Sequence, residues 1–292
     1  MGQIITGIGE ALWDMLPDGK KIGGAPANFA YHVSQFGLES CAVSAVGDDE
    51  LGEEILSEFR KKGLNTILPK VDRPTGTVQV ELDSAGVPQY EIMENVAWDN
   101  IPFTPRLDEL ASRTKAVCFG SLAQRAAVSR ETINRFIDSI PAGNDPLIVF
   151  DINLRQHFYC KEVVDNSMKK CNVLKINDEE LETVAAMFDI PAADIDGRCA
   201  FLLEKYALRI LILTCGVKGS YVFTPDGVSF LETPSVKVAD TVGAGDSFTA
   251  AFVSSIVKGK SPAEAHRIAV GVSAFVCTQN GAMPVLPEEY VG

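Results

Sequence analysis

Apolar positions in this chain follow two alternating periods. Ile4–Gly9, Ala42–Val46, Ala116–Phe119, Leu147–Asp151, Val173–Ile176 and Ile210–Leu213 are short, largely apolar runs that read as strands. Between them apolar residues recur three and four apart. Phe29, Ala30, Val33 and Phe36, stopped by Gly37, are one such set; Glu53–Lys62, ended by Gly63, and Arg130–Ile140 are others. This spacing predicts amphipathic helices. Strands alternating with helices imply an α/β fold, and continuous apolar strands such as Ile210–Leu213 suit a parallel sheet covered on both faces. Thr75–Leu82 and Val87–Met93 break the series. They flank Asp83–Gly86 and predict a β-hairpin. Tyr221–Phe223 and Ser229–Leu231 predict a second hairpin, and Ala263 to about Thr278 a last helix. No repeat, low-complexity tract or long linker divides the chain, so residues 1–292 are expected to form one domain.

The stretch Asp240-Thr-Val-Gly243-Ala244-Gly245-Asp246-Ser-Phe248 concentrates candidate chemistry. Two glycines allow a tight turn, and the apolar run through Phe248, Phe252 and Ile256 continues as a helix. A glycine turn opening a helix offers unpaired N–H groups and a positive dipole end to an anion. Asp246 at that mouth suits a base that takes a proton from a hydroxyl attacking a phosphoryl group. The helix N-terminus predicts a low pKa for it, with late proton transfer; an ordinary first-turn acid is the alternative.

Other polar groups cluster past strand ends. Gly7-x-Gly9 lacks the third glycine of a dinucleotide site, and Glu10 and Asp14 follow instead. Asp14 falls just beyond the first strand, where open α/β sheets bind ligands, and can accept bonds from sugar hydroxyls. Gly23-Gly24-Ala-Pro26-Ala-Asn28 opens the first helix. Asp151, Asn153 and Arg155 at every second position either converge on a polar ligand or leave Asp151 paired with Arg155. Asn177 and Glu180 form either a capping box or an oxygen-rich corner for hydrated Mg²⁺. Thr214, Gly216 and Gly219 follow a buried strand, near enough to meet nucleotide phosphates.

A net charge of −13 excludes a nucleic-acid partner but not a nucleotide held by a local donor nest. Seven Cys without a C-x-x-C pair and three scattered His predict reduced thiols and no structural zinc. No signal-like or membrane-spanning run is present, so a cytoplasmic location without a membrane partner is expected. From Gly76 to Asn100 there is no Lys or Arg but five acids, so a lid built there suits a neutral polyol over a phosphorylated sugar.

Taken together, these motifs resemble the PfkB, or ribokinase-like, carbohydrate kinases. The carriers are Gly23–Gly24 with Asn28, Asn177-x-x-Glu180, Thr214-x-Gly216-x-x-Gly219 and Asp240–Asp246, in the family's order and spread over residues 4 to about 287. The resemblance implies a three-layer α/β/α fold with a mostly parallel sheet and a small β lid from about 16–22 and 72–98. It implies ATP-dependent phosphorylation of a sugar hydroxyl with Mg²⁺. Asp246 would be the base, and the amides of Gly243, Ala244 and Gly245 the anion hole. Asp14, Gly23, Gly24, Asn28 and Arg155 would hold the sugar. Asn177, Thr214, Gly216, Gly219 and Asn280 would face ATP, with Asn177 and Glu180 organising the hydrated metal. Asp240 and the carbonyls near Val242 and Gly281 match a K⁺ site. Gly9–Leu16 and Asp151-x-Asn153-x-Arg155 look most like fructokinases, with Ile152 where those enzymes commonly have Pro. Ribokinase, 2-keto-3-deoxygluconate kinase and nucleoside kinase are the alternatives, and a retired kinase fold acting as a sensor is a further one. A monomer and a homodimer paired through the lid both fit.

Overall fold

The computed structural model describes residues 3–16, 19–82 and 88–291. In chain order its strands are β1 (Ile4–Ile8), β2 (Leu12–Leu16), β3 (Gly19–Gly23), β4 (Ser40–Val43), β5 (Val46–Gly47), β6 (Thr66–Ile67), β7 (Lys70–Val71), β8 (Gly76–Leu82), β9 (Pro88–Ile92), β10 (Thr114–Phe119), β11 (Leu147–Asp151), β12 (Val173–Asn177), β13 (Ile210–Thr214), β14 (Ser220–Thr224) and β15 (Gly227–Leu231). The helices are α1 (Ala25–Gln35), α2 (Glu50–Lys61), α3 (Pro105–Arg113), α4 (Ala127–Asp138), α5 (Lys161–Lys170), α6 (Asp178–Met187), α7 (Ile195–Lys205), α8 (Ala244–Val257), α9 (Pro262–Cys277) and α10 (Glu288–Val291).

Nine strands form the main sheet in the order β15-β14-β13-β12-β11-β10-β1-β4-β6. Pairing is parallel from β13 to β6 and antiparallel in the β13-β14-β15 meander. Side chains alternate between its two faces. On β11, Leu147 and Val149 pack with Phe29 of α1, Phe252 of α8 and Val272 of α9. Ile148 and Phe150 point the other way, toward Phe136 of α4, Met168 of α5, Leu181 of α6 and Leu202 of α7. A sheet with helices on both faces is the expected three-layer fold. The chain leaves β1 toward β4 on one side and returns to β10 on the other, so strand order reverses beside β1. Ligands of open α/β sheets bind at such a switch point, past the strand C-termini. Gly7 lets α1 close over this place, since a Cβ there would lie 2.1 Å from the Pro26 carbonyl oxygen.

A separate four-stranded sheet, β3-β2-β8-β9, stands beside that edge. The β8–β9 pairing is antiparallel, as the hairpin reading expects, and the turn expected at Asp83–Gly86 lies outside the described residues. Two features depart from expectation. Asp14 lies within β2, opposite Lys21 of β3, not in a loop past β1. The sheet also carries cations: Lys20 pairs with Glu54, and Lys21 Nζ lies 3.3 Å from Asp240 Oδ2. The expectation of a cation-free lid therefore holds for the hairpin segment alone.

The hairpin is anchored at its base. Arg125 stacks on Trp98 and Phe158 at 4.0 and 4.5 Å from their ring centres, and holds Asp99 through two bonds of 2.8 and 2.9 Å. Its guanidinium also donates to the Met93 carbonyl where β9 ends. Among the described residues no helix is long and apolar enough to cross a membrane.

Candidate active site

The glycine turn forms as the sequence suggests. Gly243 is the N-cap of α8 with φ 78°, a left-handed conformation that favours glycine. A Cβ on it would lie 2.7 Å from Ala282. The Ala244 N–H makes a long 3.3 Å bond to the Thr241 carbonyl, so that amide is already partly engaged.

Asp246 stands in the first turn of α8, and its Oδ2 accepts a 2.7 Å bond from Asn28 Nδ2 of α1. The other amide atom, Asn28 Oδ1, is buried and has no partner among the described residues. Asn28 thus reaches the candidate base through Nδ2 and leaves Oδ1 as an acceptor for a ligand hydroxyl. The Asp246 pKa is raised to about 7, first by burial and then by the negative charge of Asp151; Asn28 and Lys175 oppose the rise and Glu10 adds to it. This overturns the expectation of a low pKa. A helix N-terminus contributes about 0.3–1 kcal/mol, whereas a rise of about three units corresponds to roughly 4 kcal/mol. Desolvation and like charge win.

A small cavity, lined by Glu10, Pro26, Gly120, Asp151, Asn153 and Asp246 among others, opens beside that carboxylate at the switch point. Glu10 is buried; its Oε1 accepts the Ala25 N–H at 3.3 Å, while Oε2 has no partner among the described residues. Burial raises its pKa. Asp14 is half-buried, and burial raises its pKa to about 6 against the pull of Lys21 and Arg155. A Cβ on Gly23 would lie 2.7 Å from Asp14 Oδ2, and one on Gly24 (φ 119°) 2.4 Å from the Glu10 carbonyl. The glycine pair therefore lets the chain pass between the two acids.

Asp151 does not pair with Arg155. Its Oδ1 is 2.9 Å from Lys175 Nζ, and its Oδ2 accepts a 3.2 Å bond from the Thr249 hydroxyl. Arg155 is exposed, and its charge acts on Glu10 and Asp14, so it borders the same cleft. Lys175 and Glu10 are the groups missed by sequence reasoning. A lysine within a buried parallel strand, and a glutamate directly after a strand and its glycine, were the available signals.

At the neighbouring strand ends Asn177 faces Thr214 in register. Asn177 Oδ1 accepts the Glu180 N–H at 2.8 Å, and Glu180 Oε2 accepts the Asn177 N–H at 2.9 Å, so the capping box is formed. Glu180 Oε1 also accepts the Leu154 N–H at 2.9 Å. Each carboxylate oxygen holds one backbone bond and retains a lone pair, which suits a metal met through water and not a closed cage. Among the described residues no group of three or more His, Cys, Asp or Glu is arranged around a metal position. Gly216 (φ 54°) has open space where a Cβ would stand, while a Cβ on Gly219 would strike the Leu231 carbonyl at 2.5 Å, so Gly219 serves strand packing. Asp240 accepts the N–H groups of Val242 and Gly281, both at 3.1 Å, and joins the glycine turn to the loop holding Asn280.

Residues 18–289 match the model of the pfkB family carbohydrate kinases, and the chain belongs to that family: it is a sugar kinase. The uncharacterized sugar kinase PH1459 of Pyrococcus horikoshii is 30% identical over 276 residues, covering 88% of this chain and 84% of that one. Its structure in complex with ATP superposes with a TM-score of 0.78, covering 96% of this chain and 94% of that one at 29% identity. The fructokinase of Klebsiella pneumoniae is 27% identical over 96% of this chain and 95% of its own length. A fructokinase double mutant of Vibrio cholerae with fructose, ADP and potassium ion bound shares the fold, with a TM-score of 0.83 at 23% identity, covering 100% of this chain and 97% of that one.

Proposed function

We propose that this kinase transfers the γ-phosphoryl group of ATP to a hydroxyl of a neutral sugar, D-fructose before others, giving fructose 6-phosphate. The observation that carries the reading is a carboxylate held by Asn28 at the mouth of the Gly243–Gly245 turn and next to an acid-lined cavity, where burial raises its pKa. Asp246 accepts the proton of the attacking hydroxyl, with its pKa near the operating pH, where a general base is most effective. Amides of Gly243, Ala244 and Gly245 stabilise the charge that develops on the transferred group. Asp14, Gly23, Gly24 and Arg155 hold the sugar hydroxyls. Thr214, Gly216 and Asn280 border the nucleotide, and Gly219, packed against Leu231, shapes the turn that presents them. Asn177 and Glu180 hold hydrated Mg²⁺, which when bound with ATP neutralises phosphate charge. The carbonyls near Val242 and Gly281, with Asp240, are the place for K⁺. The four-stranded sheet acts as the lid of a single domain. Seven free cysteines support a reducing, cytoplasmic location.

Fructose is favoured by the Gly9–Leu16 and Asp151–Arg155 segments and by the similarity to the Klebsiella fructokinase. The test is ADP release with Mg²⁺ and K⁺ against fructose, ribose, 2-keto-3-deoxygluconate, adenosine, glucose and fructose 6-phosphate. Turnover on fructose alone is expected. Turnover on another member would keep the mechanism and move the substrate, and ATP binding without turnover on any would favour a sensor. Arg155→Ala is expected to raise KM for the sugar about tenfold, the loss of one charge-assisted bond, with kcat little changed. A fall in kcat at constant KM would remove Arg155 from the ground-state contacts.

A further inference from the structure

Lys175 lies inside β12, a strand otherwise apolar up to its end, and is only 7% exposed. An unpaired ammonium there would be severely destabilising. Its Nζ meets Asp151 Oδ1 at 2.9 Å across two strands in register. A Cβ on Gly245 would lie 3.3 Å from the same Nζ, so the ammonium sits directly under the first turn of α8. The Thr249 hydroxyl, one helical turn further along α8, is shared between the other oxygen of Asp151 at 3.2 Å and the Gly245 carbonyl at 2.9 Å, which ties the pair to the turn. Well-packed apolar residues generally stabilise such a place as well as a buried ion pair does or better. Stability is thus a poor reason for the pair, and its position under the glycine turn points to another.

We propose that Lys175, fixed by Asp151, is a positioning residue for phosphoryl transfer: it keeps Asp246 anionic and adds positive potential beneath the anion hole. Lys175 is not among the residues lining the cavity and acts through Asp246 and the turn. The proposal rests on Asp246 being the base. The groups facing Asp246 come from several elements. Glu10 after β1 and Asp151 of β11 disfavour its charge; Asn28 of α1 and Lys175 of β12 favour it. Cys118 of β10 is a thiol pushed far up by burial, so it is neutral. His266 of α9 is turned away, bonded to Ser220 and Ser229. Glu180 of α6 acts on Lys175 itself.

These signs make opposite predictions for the two partners. Removing Lys175 leaves Asn28 alone against two carboxylates beside Asp246, so the acid limb of kcat/KM moves to higher pH. Removing Asp151 takes a like charge away from Asp246 and moves the limb to lower pH. The experiment measures kcat/KM for the sugar against pH in the full-length wild type, Lys175→Met, Asp151→Asn, the double variant and Asp246→Asn, with thermal melting of each. Lys175→Met is expected to shift the limb up by about one pH unit or more and to lower kcat about a hundredfold, with KM changed less than about threefold. Asp151→Asn is expected to shift it down, and the double variant to fall between the two. Folded variants whose limbs coincide with the wild type would leave the pair purely structural and overturn the proposal. Should Lys175→Met fail to fold, a limb for Asp151→Asn that stays or moves up overturns it alone. Turnover by Asp246→Asn would instead remove the base assignment, and the proposal with it.

Discussion

Asp246→Asn is expected to lower kcat by about a thousandfold or more while leaving sugar binding intact and raising the melting temperature. The amide keeps shape and can still accept the Asn28 bond of 2.7 Å through its carbonyl oxygen. It cannot accept the hydroxyl proton, and general-base contributions run from about 10² to 10⁴. The stability gain follows from the sign of the pKa shift. The folded carboxyl binds its proton at about 7, against a usual value of 3.8. Folding is therefore helped by this group below about pH 4, and the help is lost as pH rises toward 7. Above that the buried charge opposes folding. One edge of the carboxylate opens to the cleft, so the cost is on the order of 2 kcal/mol at pH 8 and not the full three-unit value. The variant should melt several degrees higher at pH 8, with no difference near pH 4. Isothermal binding, steady-state kinetics and melting at both pH values check this. Near-normal kcat would sink the base assignment, and equal melting at pH 8 would place the desolvation cost elsewhere.

Gly243→Ala is expected to be nearly as damaging, for a steric reason. A methyl group at φ 78° costs roughly 1–2 kcal/mol by itself. Here it would also meet Cα, Cβ and the carbonyl oxygen of Ala282 within 2.8 Å. Ala282 cannot retreat freely, because His32 Nε2 holds its carbonyl at 2.9 Å from a helix on the other side. The turn must move instead, and its amides leave the position where charge develops. A loss of about 10² in kcat and about 2–3 kcal/mol in stability is expected, with the sugar KM much less affected because Asp14 and Gly23 lie on other elements. Gly259→Ala is the control. Gly259 has φ 84° but nothing within 4 Å of the added Cβ. That change should lower stability by about 1 kcal/mol and leave turnover alone. Similar kinetics for the two variants would show that the clash at Ala282 is relieved cheaply.

Much of this arrangement is readable before any coordinates. The strands of the parallel sheet announce themselves because burial on both faces demands continuous apolar runs. The Gly243–Asp246 turn does so because few other sequences place glycines and an acid at a helix mouth. Asp14 was harder. Trp13–Leu16 alternates weakly, since β2 is a short strand of a small sheet and three of its five positions are only partly covered. The helices α3, α5 and α7 carry no motif that ties them to the site. Lys175 was hidden by distance: its partner lies 24 residues earlier and only the β11–β12 register brings them together. The low pKa expected for Asp246 does not hold for a similar reason, because Asp151 on β11 and Glu10 in the segment after β1 approach it from parts of the chain that the local sequence does not contain.

The contact between Lys21 and Asp240 has a consequence for how the protein responds to its medium. Lys21 belongs to the outer strand of the small sheet, and Asp240 to the loop feeding the glycine turn, 219 residues apart. The ammonium is about half in water, 44% exposed against 16% for its partner. Such a pair is worth roughly 0–1 kcal/mol and is screened over about 10 Å at 0.1 M salt. Brine loosens it while leaving the Arg125–Trp98 anchor at the sheet's base untouched, since that cation is only 7% exposed. The sheet is thus fastened at one end by packing that ignores electrolyte and at the other by a tie that electrolyte can release.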